Sequence, residues 1–413
     1  MSEWNEIKLG KIADLTNGFA FKSKDFTETG VPVIKIKNVK PQLIKLDELS
    51  YVNDSTVKGK EKWKLKMGDI LITMSGNRAD GSPDSWVGKV AQFKREGTYY
   101  LNQRVSIIKP IVDYVDSTFL AYQLSSWDYQ LELINLANSS GGQANISPDI
   151  VKGLNILLPP LPEQERIAEV LGSLDNKIDL LHRQNKTLEE MAETLFRQWF
   201  VEEADDSWEE VTIGSLCNKV TKGTTPTTMG KPFVEKGINF IKAESLNEFG
   251  GFINNKFSFI DESTHNLLQR SQIEKGDILF TIAGTIGRTA IVTSSILPAN
   301  TNQAVAIIRV DKEKINQIFM KYVMKSDYIQ EIMESKIVHA VQPNLSLGEI
   351  SDTKIKLPPK EKLDKFELVG QSIQNKINLN NNLIQQLETL RDTLLPKLMS
   401  GEVRVQNLND QNH

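Results

Sequence analysis

Hydrophobic residues in two stretches of this chain recur at alternating steps of four and three. In the first stretch the positions are Ile167, Leu171, Leu174, Ile178, Leu181, Asn185, Leu188, Ala192, Leu195 and Trp199. In the second they are Phe366, Gly370, Ile373, Ile377, Asn380, Ile384, Leu387, Arg391, Leu394 and Leu398, in the same phase. This heptad period keeps one face of a long helix against a partner helix. The copies align without a gap, Lys177 with Lys376, Leu188 with Leu387 and Leu195 with Leu394, at an offset of 199. Pro162 has the backbone angle of a first helical turn, and Glu163 and Glu165 set carboxylates at the positive end of the helix dipole. Pro358, Pro359 and Glu361 do the same for the second copy. Each predicted helix is roughly 39 residues, or about 58 Å, long. Asn185 and Asn380 fall on the seam. If the helices pack antiparallel with ends matched, Asn185 faces about Ile377 and Asn380 about Leu181. The two asparagines then either fix the register or mark a wet part of the seam.

Elsewhere the patterning is that of short strands. VPVIKIKNV, at 31–39, alternates so that Ile34 and Ile36 share one face and Lys35 and Lys37 the other, which predicts a half-buried strand. Lys58, Lys60, Lys62, Lys64 and Lys66 are spaced by two; if extended, they form either a lysine-guarded edge or a row of phosphate contacts. MGDILIT, at 67–73, reads as a turn into a buried strand, followed by a polar loop at 74–88 that contains Asn77, Arg78, Ser82 and Asp84. A strand pair around 99–108 carries Asn102, Gln103 and Arg104, and a helix is expected over 117–135. Ser147 before Pro148 is a helix cap, and a strand at 156–158 is stopped by prolines.

After an acidic linker, VEEADDS at 201–207, the same order returns. GDILFT at 276–281 echoes GDILIT at 68–73, Asn302 and Gln303 echo Asn102 and Gln103, and VQPNLSLGEI at 341–350 echoes GQANISPDI. Ser346 and Glu349 have capping-box spacing. The expected fold is therefore α+β, a pseudo-two-fold repeat of two similar globular domains joined by two long helices packed as an antiparallel coiled coil. The expected boundaries are 1–160, 161–203, 204–357 and 358–413. EVRV at 402–405 resembles the opening of each half. It is either a strand that closes a circular repeat beside the first half or a chance match.

Composition narrows the function. A chain of 413 residues suits two domains. No run reaches bilayer length and the N-terminus lacks an apolar signal core; with Cys217 as the single cysteine, a reducing cytoplasm is the expected compartment. The net charge is −4, but the acid excess falls in 161–207 and leaves both globular parts slightly basic. His182, His265, His339 and His413 are far apart, with no metal-ligand neighbours. NILLPP, at 155–160, is not the Pro-Pro-aromatic motif of an amine methyltransferase. GSPDSWVGKV, at 81–90, lacks phosphate-loop spacing, and the acid-x-Lys pairs at Glu334 and Asp352 lack a nuclease partner. No catalytic constellation emerges and no metal is expected.

The ensemble GDIL, NQ, Q-x-N-[ILV]-S and LPP in each half, followed by a long helix, resembles the specificity subunit of type I restriction–modification systems. PLPEQERIAEVLGSLDNKIDLLHRQN and TLLPKLMSGEVRV carry the resemblance most closely, while PPKEKLDKF departs from the PLPEQERI form. The resemblance implies a non-catalytic reader of double-stranded DNA, with each globular half a target-recognition domain for one part of an asymmetric bipartite site. It implies two modification subunits that bind S-adenosylmethionine and methylate adenine, and restriction subunits that join them; this chain itself holds no cofactor. Asn185 and Asn380 would then set the spacer. Base-reading candidates are Asn77, Arg78 and Arg104 in the first half and Thr285 and Arg288 in the second, because arginine can hold guanine O6 and N7 and asparagine adenine N6 and N7. Lys22, Ser23, Lys35, Lys58, Lys60, Lys62 and Lys64, with Lys222, Thr224, Thr225 and Lys242, are further DNA-contact candidates. Asn102, Gln103, Asn145, Asn302, Gln303 and Asn344 recur in both halves and are assigned to turn scaffolding. A two-domain protein–protein scaffold without DNA specificity is the alternative reading.

Overall fold

The computed structural model describes residues 4–46, 48–78, 85–111, 113–140, 143–337 and 345–405. Ser82, Asp84, His339, Asn344 and His413 lie outside them. The chain forms two compact units, Met1–Lys177 with Leu387–His413, and Ile178–Gln386. Each unit owns part of both long helices, Leu161–Arg197 and Lys360–Met399. A division into globular halves and separate spacers therefore differs from the packing.

The two units repeat one topology. In the first, a four-stranded antiparallel sheet runs Val90–Gln92, Ile70–Thr73, Val105–Pro110, Ala13–Asn17. In the second the order is Thr289–Ile291, Ile278–Thr281, Val305–Val310, Cys217–Lys222. The GDIL segment supplies the fully buried strand of each sheet, as the apolar run predicts. A glycine precedes it because the turn needs a positive φ, +94° at Gly68 and +92° at Gly276. Each unit also pairs its opening strand with the strand before the long helix, Asn5–Lys8 with Asn155–Leu158 and Glu210–Thr212 with Lys354–Lys356.

The seam prediction holds, since none of its twenty positions is exposed. In the first unit Ile167, Ala168 and Leu171 enter one core with Leu395, Leu398 and Met399. In the second, Ala192 and Phe196 join Phe366, Ile373 and Ile377. The helices run antiparallel within each unit. The register differs from end-matching: Asn380 Nδ2 donates to Asn185 Oδ1 at 2.9 Å, and Asn185 Nδ2 to Asn381 Oδ1 at 2.8 Å. Asn185 therefore meets Asn380 instead of Ile377, a shift of about one helical turn. Buried amides need partners, and mutual pairing supplies them.

Polar pins fasten each globular part to its helices. Lys321 is wholly buried and donates to Glu189 and to Gln374 at 2.9 Å each. Lys325 reaches Glu189 at 2.6 Å. Burial would push the Glu189 carboxyl up, but the ammonium groups of Lys321 and Lys325 outweigh it and hold it below the usual carboxylate range. In the first unit the Tyr122 hydroxyl donates to Asp175 at 2.5 Å, and Arg391 donates to the other Asp175 oxygen at 3.0 Å. Burial first, and then the neighbouring carboxylate, pushes both the Tyr122 and Tyr322 phenols up.

Several local expectations fail for identifiable reasons. The strand expected at 31–39 ends at Ile34, where Lys35 leads into the 3-10 turn Ile36–Asn38. The five lysines are not extended: Lys58 lies in the turn that ends the helix Asp54–Val57, the 3-10 turn Glu61–Trp63 breaks the row, and the Trp63 indole N–H donates to the Asn17 carbonyl at 2.9 Å. Tyr100–Leu101 and Val105–Pro110 belong to different sheets, so they are not a pair. The helix over 117–135 is two, Ser117–Leu124 and Trp127–Leu136, because Ser126 adopts extended angles. EVRV at 402–405 forms no strand. It rests on the first unit all the same, with Val405 packed on the core and Arg404 facing Glu163 at 3.8 Å. Ser147 caps its helix, and Ser346 with Glu349 forms the capping box.

Candidate nucleic-acid interface

In each unit three loops are tied together at one end of the four-stranded sheet by backbone hydrogen bonds. The turn before the strand Val105–Pro110 closes from Val105 N–H to the Asn102 carbonyl at 3.0 Å, and that before Val305–Val310 from Val305 N–H to the Asn302 carbonyl at 3.2 Å. Against this turn lies the early loop: Gly18 N–H donates to the Val105 carbonyl and Gly223 N–H to the Val305 carbonyl. A Cβ at Gly18 would stand 2.1 Å from the Asn102 carbonyl oxygen, and one at Gly223 1.9 Å from that of Thr301. Only glycine allows that approach. The loop after the GDIL strand joins from the other side, with Met74 N–H to the Arg104 carbonyl and Ile282 N–H to the Ala304 carbonyl, both at 2.9 Å. The scaffold and its Asn-Gln pair are shared, while other side chains on it differ between units.

In the first unit Lys22 and Ser23 are exposed, and the Lys22 backbone N–H is held by Asp25 at 2.8 Å. Lys35 stacks over the Phe26 ring at 3.4 Å; burial, then the Lys37 charge, lowers its pKa. Lys58, Lys62 and Lys64 are exposed but share no row, and Lys60 lies over Phe19 of the early loop at 4.9 Å. Asn77 is exposed but closes its own loop, donating from its side chain to Ser85 Oγ at 3.2 Å and exchanging backbone bonds with Ser85 and Val87. Arg78 spends one N–H on the Ala137 carbonyl at 2.8 Å. Arg104 is exposed and has no side-chain partner among the described residues. Ser75 Oγ donates to Asn145 at 2.7 Å, in line with a scaffolding role for Asn145.

In the second unit Lys222 ends the edge strand, half-buried. Thr225 Oγ1 donates to the Gln303 side-chain oxygen, so Gln303 does more than shape its turn. Thr224 Oγ1 accepts from Arg270 at 3.0 Å, a contact that sequence reasoning missed, since 46 residues separate the partners. Lys242 repeats the backbone conformation of Lys35 at the head of an equivalent 3-10 turn, but pairs with Glu244 at 3.6 Å. Thr285 is exposed and its carbonyl accepts from Thr281 Oγ1 at 2.5 Å. The Arg288 guanidinium donates to the Leu246 carbonyl at 2.7 Å. Among the described residues no group of three or more His, Cys, Asp or Glu side chains could hold a metal ion, and no helix is long and apolar enough to cross a membrane.

This duplicated scaffold has a counterpart in known sequences. The family described as the type I restriction modification DNA specificity domain matches residues 1–190 and again 205–389. The chain belongs to that family. Each match spans one globular half and most of the helix after it, so the repeating unit of the sequence is offset from the compact units, which cut each helix part-way. Among specificity-family relatives, the chain is 27% identical to the type I restriction enzyme MjaIX specificity subunit of Methanocaldococcus jannaschii, over 98% of this chain and 95% of that one. It is 25% identical to the type I restriction enzyme EcoBI specificity subunit of Escherichia coli, over 98% and 87%. The crystal structure of a type I restriction–modification S subunit from M. genitalium covers 96% of each chain, with a TM-score of 0.59 and 18% identity, and shows a shared fold.

Proposed function

We propose that this chain is the non-catalytic DNA-reading subunit of a type I restriction–modification complex. Each half reads one part of an asymmetric bipartite site in double-stranded DNA, and the paired helices set the gap. Modification subunits, which bind S-adenosylmethionine and methylate adenine, dock on the chain, and restriction subunits complete the cleaving assembly. One observation carries this reading. The three-loop junction is built from equivalent backbone bonds and a shared Asn-Gln turn in both units, while other side chains on it differ, with Arg104 and Arg78 in one unit and Thr225, Thr285 and Arg288 in the other. A common frame with different side chains is what two unlike half-sites require, since base edges are read by individual side chains. Half-sites about one helical turn apart, roughly 34–36 Å, are a usual spacing for two-headed readers.

The test is to exchange residues 1–160 for the equivalent part of another family member and map methylated adenines in a host that carries the modification subunits. One half of the methylated motif should change and the other stay. A change in both halves would contradict modular reading, and absence of chain-dependent methylation would contradict the assignment itself.

A further inference from the structure

The second compact unit contains five arginines, and their partners sort them. Arg183 pairs with Asp179 at 3.1 Å, Arg197 with Glu202 at 3.4 Å, and Arg309 with Asp277 at 2.7 Å and Glu274 at 2.5 Å. Their charges are neutralised in place. Arg270 and Arg288 have no carboxylate partner among the described residues. Arg288 bonds a backbone carbonyl, and its guanidinium is part-buried in doing so. Arg270 is exposed, and its guanidinium makes a single hydrogen bond among the described residues, to Thr224 Oγ1 at 3.0 Å. A guanidinium has five N–H donors in a fixed fork, so most of this one remains to be used.

The anchor for that fork is well fixed. Thr224 N–H donates to the Thr301 carbonyl at 3.1 Å, and Gly223 lies against the same carbonyl, where no Cβ would fit. A second cation reaches this turn from the edge strand Cys217–Lys222: Lys219 Nζ donates to the backbone carbonyl of Arg270 at 3.3 Å and, among the described residues, faces no carboxylate. Two cations at one turn, neither facing a carboxylate among the described residues, make a locally positive surface that favours an anion. Here one is oriented by a threonine on a glycine-tight loop, beside the junction already described.

We propose that Arg270 and Lys219, with Thr224 as positioning residue, clamp a phosphate of the DNA backbone bound by the second half. The inference rests on reading that half as DNA-binding. It adds a contact independent of base sequence at Arg270 and Lys219, neither of which is among the DNA-contact candidates above.

The experiment measures binding of the full chain to a random-sequence duplex, and to a duplex carrying the mapped methylation motif, by fluorescence anisotropy across a salt series. Each phosphate contact contributes about 0.9 to the slope of log affinity against log salt, which corresponds to about eightfold at 0.1 M. Arg270→Ala should lower the slope by about that amount and weaken both duplexes by the same factor. Arg270→Lys should keep the slope, and Thr224→Val should keep the slope while losing affinity. The methylated motif and the melting temperature should not change. An Arg270→Ala protein with wild-type slope and affinity overturns the clamp, and so does a loss confined to one base of the motif, which would make Arg270 a base reader. Wild-type protein that binds neither duplex overturns the DNA-binding reading and the clamp with it, and is told apart by needing no variant.

Discussion

Removing the Glu189 carboxylate should damage the second unit more than any surface change of the same size. Glu189 and Lys321 are 3% and 0% exposed, and the carboxylate accepts from Lys321, Lys325 and the Tyr322 hydroxyl. Glu189→Ala leaves the Lys321 ammonium buried with only the Gln374 amide oxygen, at 2.9 Å, and the Tyr322 hydroxyl, at 3.4 Å, as partners. Breaking a buried ion pair from one side costs about 3–5 kcal/mol. For a unit of this size that is a fall in melting temperature of roughly 6–20 °C. Lys325 keeps Glu193 at 2.6 Å, so the loss centres on Lys321. Replacing both partners, Glu189→Leu with Lys321→Met, removes the stranded charge, and the double variant should be near wild type in stability. Direction with pH follows from the depressed carboxyl. The stabilisation is fully present above the unfolded value, about 4.3, and is lost as pH falls through the lower folded value. The wild-type advantage over Glu189→Ala should therefore shrink as the pH falls below that range. The assay is thermal and denaturant unfolding of the complete chain followed by circular dichroism. A cost below about 1 kcal/mol for Glu189→Ala, or equal costs for single and double variants, would refute the reasoning.

Two smaller predictions concern the seam and the cysteine. Asn185→Leu alone should lower the melting temperature by stranding the Asn380 and Asn381 amides, while Asn185→Leu with Asn380→Leu should raise it; additive single effects in the double-mutant cycle would show that the amides do not meet. Burial, only partly offset by the Lys314 charge, pushes the Cys217 thiol up to about 12, so it should resist iodoacetamide at pH 8 and react once denaturant is added; rapid alkylation of the folded chain would contradict this.

Periodicity was enough to place the long helices, because a heptad seam is a local pattern whose period alone dictates which face is buried. No seam position is exposed, and the repeat of GDIL, Asn-Gln and capped helix predicts two similar globular domains, which the two equivalent four-stranded sheets match. The resemblance to the family also rested on these local words. What the chain could not declare were pairings between distant segments. Asn185 and Asn380 were both identifiable as polar seam residues, but that they pair with each other depends on how two helices slide to satisfy buried amides. The spacing by two of the lysine row is compatible with a strand, but the 3-10 turn Glu61–Trp63 interrupts it and the Trp63 indole bonds the distant Asn17 carbonyl. Arg270 carried no local signal; it stands out only because Arg183, Arg197 and Arg309 are paired with carboxylates and Arg288 is part-buried on a carbonyl. Local chemistry thus determined the elements and their repetition. The tertiary fold decided which charges are neutralised within the protein and which stay available to a ligand, because electrostatic partnership depends on distance in space and not along the chain.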